Sequence, residues 1–276
     1  MTGASPPLSV AVVAFNEERN LARCLSSVAF ADDVVVVDSG SADRTREIAA
    51  RHGVRVVAAP WPGYVAQKNR AAEEAAHLWV LSLDADEWLE AGAAEEIRGV
   101  LERPAHAAYA FRRISAFSGA FLTRTWSPDR QVRLYRKDVA RFEGGEVHES
   151  VRVDPPHTVG TLASPLLHLT HRSVHEQVER LNRYSALASK TAAASGRAFG
   201  VSRMLAGPPA AFLKMYLLKG GITEGVRGFI AAANHAHYVF LKSAKLWDRT
   251  RRRDDAFARR VPATPEDPDP GAPYSG

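Results

Sequence analysis

The chain has 276 residues, 46% of them hydrophobic and 24% charged, with a formal net charge of +5. That size and balance belong to a soluble globular protein with room for one large domain and an appendage, or for two small ones. Cys24 is the only cysteine, which excludes an intrachain disulfide and points to a reducing compartment. No run of about 18 apolar residues occurs, which argues against a spanning helix, and Met1 to Pro7 lacks the charge and apolar core of a signal peptide. The expected location is the cytoplasm, with any membrane contact peripheral and on its inner face. No nucleic-acid partner is expected.

The first hundred residues alternate strand-like and helix-like patterns. Leu8 to Phe15 is an apolar, β-branched run, followed by a helix pattern from about Glu17 to Val28. Val34 to Val37, a helix from about Asp43 to Arg51, Val54 to Ala58 and a helix from about Val65 to His77 continue the series, and Trp79 to Leu83 closes it. Such alternation predicts βαβ units that build a mostly parallel sheet with helices on both faces. Beyond Glu102 the pattern changes. Tyr109 to Ile114, Gln131 to Tyr135 and Thr161 to Leu169 read as strands, and Ser173 to about Ser195 as a helix. Gly207-Pro208-Pro209 reads as a break before a second helical region, Phe212 to about Trp247, interrupted near Gly220-Gly221. The expected division is a catalytic domain over 1–205, a basic amphipathic helical region over 206–253 and a disordered tail over 254–276.

Three of the strands end in acid-bearing turns: Asn16-Glu17-Glu18, Asp38-Ser39-Gly40-Ser41 and Asp84-Ala85-Asp86. Open sheets of this kind bind ligands at the carboxyl ends of their strands. Side-chain direction repeats every two residues along a strand, so Asp84 and Asp86 face the same way and repel unless a cation separates them. Hard oxygen ligands suit Mg²⁺ or Mn²⁺, which take one or two carboxylates and complete their shell with water and substrate phosphates. A nucleotide diphosphate would then lie beside Asp86. Asp38 is placed to accept a hydrogen bond from a nucleobase or ribose. Neither G-x-x-x-x-G-K-[ST] nor G-x-G-x-x-G follows the first strand, which removes the main support for a kinase or dehydrogenase.

Ala14-Phe15-Asn16-Glu17-Glu18, Asp38 to Thr45 and Leu83 to Glu87 together resemble the nucleotide-sugar half of family 2 glycosyltransferases in order and spacing. Trp61-Pro62-Gly63-Tyr64-Val65-Ala66-Gln67-Lys68-Asn69 narrows the resemblance to lipopolysaccharide-core transferases that add a β-linked glucose to heptose. Gln131 to Tyr135, Val147-His148-Glu149 and Tyr216 to Gly228 also look like that subgroup. The resemblance implies a GT-A type, Rossmann-like α/β fold with a C-terminal helical extension. It further implies a UDP-sugar donor, a glycolipid or oligosaccharide acceptor, and a divalent cation. Asp38 would contact the uracil or ribose, Glu17 would line the same pocket, Asp84 would lie near the ribose, and Asp86 would hold the metal. Many relatives carry two successive acids after the second strand; here the second position is Ser39.

Such enzymes generally invert the anomeric centre in one displacement, which requires an ionised base at the acceptor hydroxyl. Glu149 is the expected base, with Glu146 as its rival, because Gly144-Gly145 allows close approach to a ligand. His148 is expected as a metal ligand or diphosphate contact, and His168 and His171 as further neighbours of the site. Lys68, near a helix N-terminus, is expected to bind phosphate or sugar. Arg130 and Arg133, three apart, should not share a strand face, so only one of them, Arg133, is expected to reach the diphosphate. Glu87 is expected to cap the next helix. Two other readings stay open: a metal-dependent nucleotidyltransferase, which usually needs a basic glycine-rich loop absent from Ala14 to Asn20, and a non-catalytic nucleotide- or glycan-binding module.

Phe229, Ala232, Ala233, Ala236, Val239 and Phe240 recur at helical spacing ahead of Lys242, Lys245, Arg249, Arg251, Arg252 and Arg253. This pattern fits a helix packed on the catalytic domain or an interfacial helix on anionic lipid.

Overall fold

A computed structural model describes residues 5–126, 129–145 and 148–251. The expected tail over 254–276, Arg252, Arg253 and Glu146 lie outside the described residues, as does the side chain of His148. The chain forms two compact units, one of Met1–Ala116 with Ser127–Thr170, the other of Phe117–Trp126 with His171–Gly276.

The first unit opens with β1 (Leu8–Ala14), α1 (Leu21–Ser27), β2 (Asp33–Asp38), α2 (Thr45–Arg51), β3 (Arg55–Ala58), α3 (Tyr64–Glu74) and β4 (Trp79–Asp84). There follow β5 (Glu87–Leu89), α4 (Ala93–Glu102) and β6 (Ala108–Phe117), then, after β7 (Ala120–Leu122) of the second unit, β8 (Arg130–Arg136), β9 (Ala140–Gly145), β10 (His148–Val153), β11 (Val159–Thr161) and β12 (Leu166–His171). The main sheet runs β3-β2-β1-β4-β8-β6-β12-β5. Its first four strands are parallel, and β8 pairs antiparallel with both β4 and β6. The α/β class expected from the alternating patterns is the class that forms, with a mixed, mostly parallel sheet.

The continuous apolar runs are explained by burial on both faces. Val10, Val12, Val36, Leu81 and Leu83 pack with Leu21 and Leu25 of α1 and Ile97 of α4. Their alternates Ala11, Val35, Val37 and Val80 pack with Ala71 and Ala72 of α3, and with Ala75 just past its end, on the opposite side. Each fully buried Val or Leu contributes about 1.5–3 kcal/mol, so both layers are needed to hold the sheet. From β1 the chain first steps outward to β2 and β3, then returns to lay β4 on the other side of β1. That reversal opens a crevice at the carboxyl ends of β1 and β4. Register puts Ala14 beside Asp38 and Val13 beside Asp84, which brings two of the acid-bearing turns to this edge.

Three expectations are corrected in this unit. The Thr161 to Leu169 strand is split into β11 and β12, since Pro165 has no N–H to donate and Ala163 and Ser164 donate theirs to the Glu96 carboxylate instead. Helix α1 starts at Leu21 rather than Glu17, because Asn16 adopts a left-handed φ of 55° and the turn after β1 is drawn onto the turn after β2. Glu87 does not cap a helix. It begins β5, is fully buried, and takes charge-assisted hydrogen bonds from Arg133 and Arg113.

The second unit holds β7, α5 (Val174–Ala194), α6 (Val201–Leu213), a π-helical turn (Lys214–Leu218), a 3₁₀ turn (Gly221–Glu224) and α7 (Gly225–Thr250). Ser173 caps α5 by accepting from the Glu176 N–H at 3.1 Å. Gly207-Pro208-Pro209 is not a break, for α6 runs through it. A Cβ on Gly207 would sit 3.1 Å from Val239 of α7, so the missing side chain permits a close helix approach whose packing offsets the lost proline hydrogen bonds. The interruption expected near Gly220-Gly221 does form, at the π turn and at Gly220, whose φ of 77° suits glycine. Lys245 and Arg249, for which helix packing and a lipid-facing flank were both open, donate to Asn182, Ser185 and Ser189 of α5. That basic end of α7 is therefore engaged in helix packing.

Candidate active site

The turn after β1 and the turn after β2 are laced together. Asn16 N donates to Ser41 Oγ at 2.8 Å, Glu17 N to Thr45 Oγ1 at 2.7 Å, Glu18 N to Asp43 Oδ2 at 3.0 Å, and Ala42 N to Asn16 Oδ1 at 2.9 Å. Short polar side chains at 41, 43 and 45 thus tie the two turns together. Glu17 accepts from the Asn20 side chain at 2.6 Å and stands at this rim.

Asp38 ends β2 and is fully buried. Its Oδ2 accepts from the N–H groups of Gly40 and Ser41 at 3.1 and 3.0 Å, while Arg46 Nε lies 3.7 Å away. Gly40 makes the turn with a φ of 93°, which an L side chain rarely adopts. Among the described residues, Asp38 Oδ1 is buried with no hydrogen-bond donor, and so is Gln67 Oε1. The Gln67 amide nitrogen donates to Ser39 Oγ at 2.9 Å, so the two acceptors belong to one cluster around Ser39. A buried acceptor without a donor costs about 1–3 kcal/mol, which marks this cluster as a place for a ligand N–H or O–H.

A line of alternating charge crosses the carboxyl edge of the sheet. Lys68 Nζ, buried in α3, lies 2.9 Å from Asp84 Oδ1 and 3.0 Å from Glu149 Oε1 of β10. Arg133 of β8 lies 2.9 Å from Asp84 Oδ2 and 2.7 Å from Glu87 Oε1, and Arg113 links Glu87 at 3.2 Å to Asp129 at 2.7 Å. Burial alone would raise the Asp84 pKa, yet Lys68 and Arg133 hold it well below the usual carboxylate range. Burial likewise opposes charge on Arg133, but Glu87 and Asp84 drive its pKa above the ordinary guanidinium value. Both groups are therefore ionised at neutral pH. Four carboxylates face three cations along this line, leaving negative charge in excess before Asp86 is added.

Asp86 follows two residues after Asp84. Its carbonyl accepts from Leu169 N at 3.0 Å, which pins the turn after β4 to β12. Its Oδ2 lies 3.3 Å from His168 Nε2, and His168 Nδ1 lies 3.0 Å from Thr170 Oγ1. An imidazole nitrogen beside a carboxylate oxygen is a pair that can share a cation, with the carboxylate as the ligand that Mn²⁺ and Mg²⁺ favour. Among the described residues no group of three or more His, Cys, Asp and Glu side chains could hold a metal ion. Two protein ligands fit a cation whose remaining positions are filled by water and diphosphate.

The structure thus brings Glu17, Asp38, Lys68, Asp84, Asp86, Arg133 and Glu149 to the carboxyl edge of one sheet. Arg130 is exposed and Arg133 buried, as the three-residue spacing requires. His171, three residues along from His168, packs in the second unit against Phe117 and Trp126. Arg113, Asp129 and the pairing role of Glu87 were missed. Their signal was an arginine within the apolar Val132 to Tyr135 strand, since a buried guanidinium demands acids nearby.

Residues 9–152 match the family model described as Glycosyl transferase family 2. The chain belongs to this family. The enzyme is similar to the lipopolysaccharide core biosynthesis glycosyltransferase LpsC of Rhizobium meliloti, at 30% identity over 88% of this chain and 93% of that protein. It is also 31% identical to an uncharacterized glycosyltransferase of Rickettsia typhi, over 91% of this chain and 90% of that one. Among solved structures, S. aureus TarS 1-349 aligns with 92% of the transferase and 91% of its own chain, at 15% identity and a TM-score of 0.44. Glucosyl-3-phosphoglycerate synthase from Mycobacterium tuberculosis, in complex with Mn²⁺, UDP-glucose and phosphoglyceric acid, aligns with 40% of the transferase and 44% of its own chain, at 23% identity and a TM-score of 0.35.

Proposed function

We propose that this family 2 glycosyltransferase moves a hexose, glucose by the resemblance of Trp61 to Asn69, from a UDP-sugar to a cell-envelope glycolipid, with inversion. The observation that carries the reading is Asp86 paired with His168 beside a net-negative network, at the edge where the sheet opens. The acceptor class rests on the similarity to LpsC, which is named for lipopolysaccharide core biosynthesis. The base assignment rests on Asp38 Oδ1, a buried acceptor to which the ring N–H of uracil can donate.

In this reading the acceptor hydroxyl attacks the anomeric carbon, the bond from that carbon to the diphosphate breaks, and UDP departs with its electron pair. Glu149 takes the hydroxyl proton. Lys68 holds Glu149 Oε1, which fixes the carboxylate and leaves Oε2 for the proton. A divalent cation bound by Asp86 and His168 would supply Lewis-acid stabilisation of the charge that grows on the departing diphosphate. Asp84 acts through Lys68 and Arg133, anchoring the floor of the site.

UDP release from a panel of UDP-sugars, with EDTA or with added Mn²⁺ or Mg²⁺, tests this assignment. EDTA is expected to abolish release and Mn²⁺ to restore it. Asp86→Ala should lower turnover by roughly 10²–10³-fold at saturating metal, the usual cost of losing a group that stabilises transition-state charge. Near-normal transfer by that variant would remove the metal assignment, and silence with every UDP-sugar would remove the donor.

A further inference from the structure

We propose that the exposed apolar corner formed by the end of α6, the π turn, the 3₁₀ turn and the start of α7 docks the protein on the surface of an anionic lipid bilayer. Leu213, Leu217, Leu218, Ile222 and Val226 are each more than half exposed, with Leu218 at 84% and Val226 at 74%. They fall on four consecutive segments of the second unit, and Gly228 and Gly221 let α7 and the 3₁₀ turn approach at backbone distance. Single exposed leucines need no explanation, but a run of large apolar side chains at the tips of successive turns does.

Charge decides what covers this corner. From Arg197 to Trp247 the sequence carries seven Lys and Arg residues against one acid, Glu224. That acid is turned inward, accepting from the backbone N–H groups of Arg124 and Thr125 at 2.9 and 3.1 Å and from the Thr125 hydroxyl. Lys214 and Lys219 therefore flank the leucines with no carboxylate from this stretch facing outward to neutralise them. The positive field is felt locally: the His235 imidazole is pushed down by burial and then by Lys219, Lys242 and Lys214. A protein partner could match the apolar side chains, but the uncompensated cations select an anionic surface. Apolar insertion combined with basic side chains is the two-part signal of interfacial membrane binding. No helix among the described residues is long and apolar enough to cross a membrane, so the contact lies on the bilayer. The lipid-facing element is thus the turn region rather than the basic end of α7, which is occupied by α5. This inference does not depend on the transferred sugar or on the metal.

Flotation of the full chain with vesicles tests it, using phosphatidylcholine containing phosphatidylglycerol against phosphatidylcholine alone. Binding is expected with the anionic vesicles, weakening as salt rises. Lys214→Gln with Lys219→Gln should weaken it roughly 20- to 30-fold, from about fivefold per lysine near such a surface. Leu217→Glu with Leu218→Glu should abolish flotation, while Arg51→Gln in the first unit should leave it unchanged. Donor hydrolysis without lipid and circular dichroism confirm that each variant is folded. The proposal is overturned if the wild type ignores anionic vesicles, binds neutral ones equally, or floats undiminished with either pair replaced. It is also overturned if light scattering shows the leucine pair abolishing a dimer of the wild type, since the corner then covers a second copy.

Discussion

An ammonium group buried between two carboxylates, as Lys68 is between Asp84 and Glu149, gives up several kcal/mol of hydration that only good geometry offsets. Replacing Lys68 by Met leaves two carboxylates facing each other in a half-buried cleft. The variant is expected to lose about 3–5 kcal/mol of stability and most of its turnover. Lys68→Arg should recover part of both, and adding Glu149→Gln to Lys68→Met should recover stability without activity. Urea denaturation with UDP release at saturating donor checks each step, and a Lys68→Met enzyme of normal stability and rate would dismiss the positioning role. Sequence alone presented Lys68 as an anion-binding residue near a helix start. Its partners lie 16 and 81 residues away, and no spacing rule joins them. The place of Asp86 was more legible, because a carboxylate just past the end of an apolar strand stands at the edge of the sheet.

At the scale of elements, strands whose apolar runs are buried on both faces were legible throughout, while boundaries set by tertiary hydrogen bonds were not. Pro165 is visible in the sequence, but the acid that takes up the neighbouring N–H groups is Glu96 on α4. Burial pushes the Glu96 pKa up, and the hydrogen bonds from Ala163 and Ser164 outweigh it, leaving the folded value below the ordinary one. A depressed folded pKa contributes stability above the unfolded value of about 4.3, and loses it as pH falls through the folded value. Glu96→Gln is therefore expected to cost about 1 kcal/mol at pH 7, discounted for its partial exposure. The gap should close as pH drops below about 4. Urea midpoints of both proteins at pH 7, 5 and 3.5 measure it; a gap that stays constant would mean the carboxylate charge contributes nothing. The prolines of α6 carry the same lesson in reverse, for packing against α7 overrides a local stop signal.

For the molecule as a whole, a sheet-based unit and a helical unit divide the work between chemistry and, by our inference, attachment. Because no helix among the described residues is long and apolar enough to cross a membrane, attachment through turn leucines and lysines should be reversible. Membranes from cells expressing the full chain should release it on washing with high salt or alkaline carbonate, without detergent. Immunoblotting of pellet and supernatant reads the outcome, and retention in the carbonate-washed pellet would contradict an interfacial contact.

The α/β class, the acid-bearing turns and the family were determined by the sequence itself, because each is written in local periods and motifs. Strand runs bury both faces, carboxylates stand at their ends, and those signals need no distant partner. What only the tertiary structure decided is how the charges are shared. Lys68 and Arg133 hold Asp84, Asp86 meets His168, and Glu87 is drawn into the buried line. Those pairings depend on which strand lies beside which, and electrostatic energy follows distance in space rather than separation along the chain.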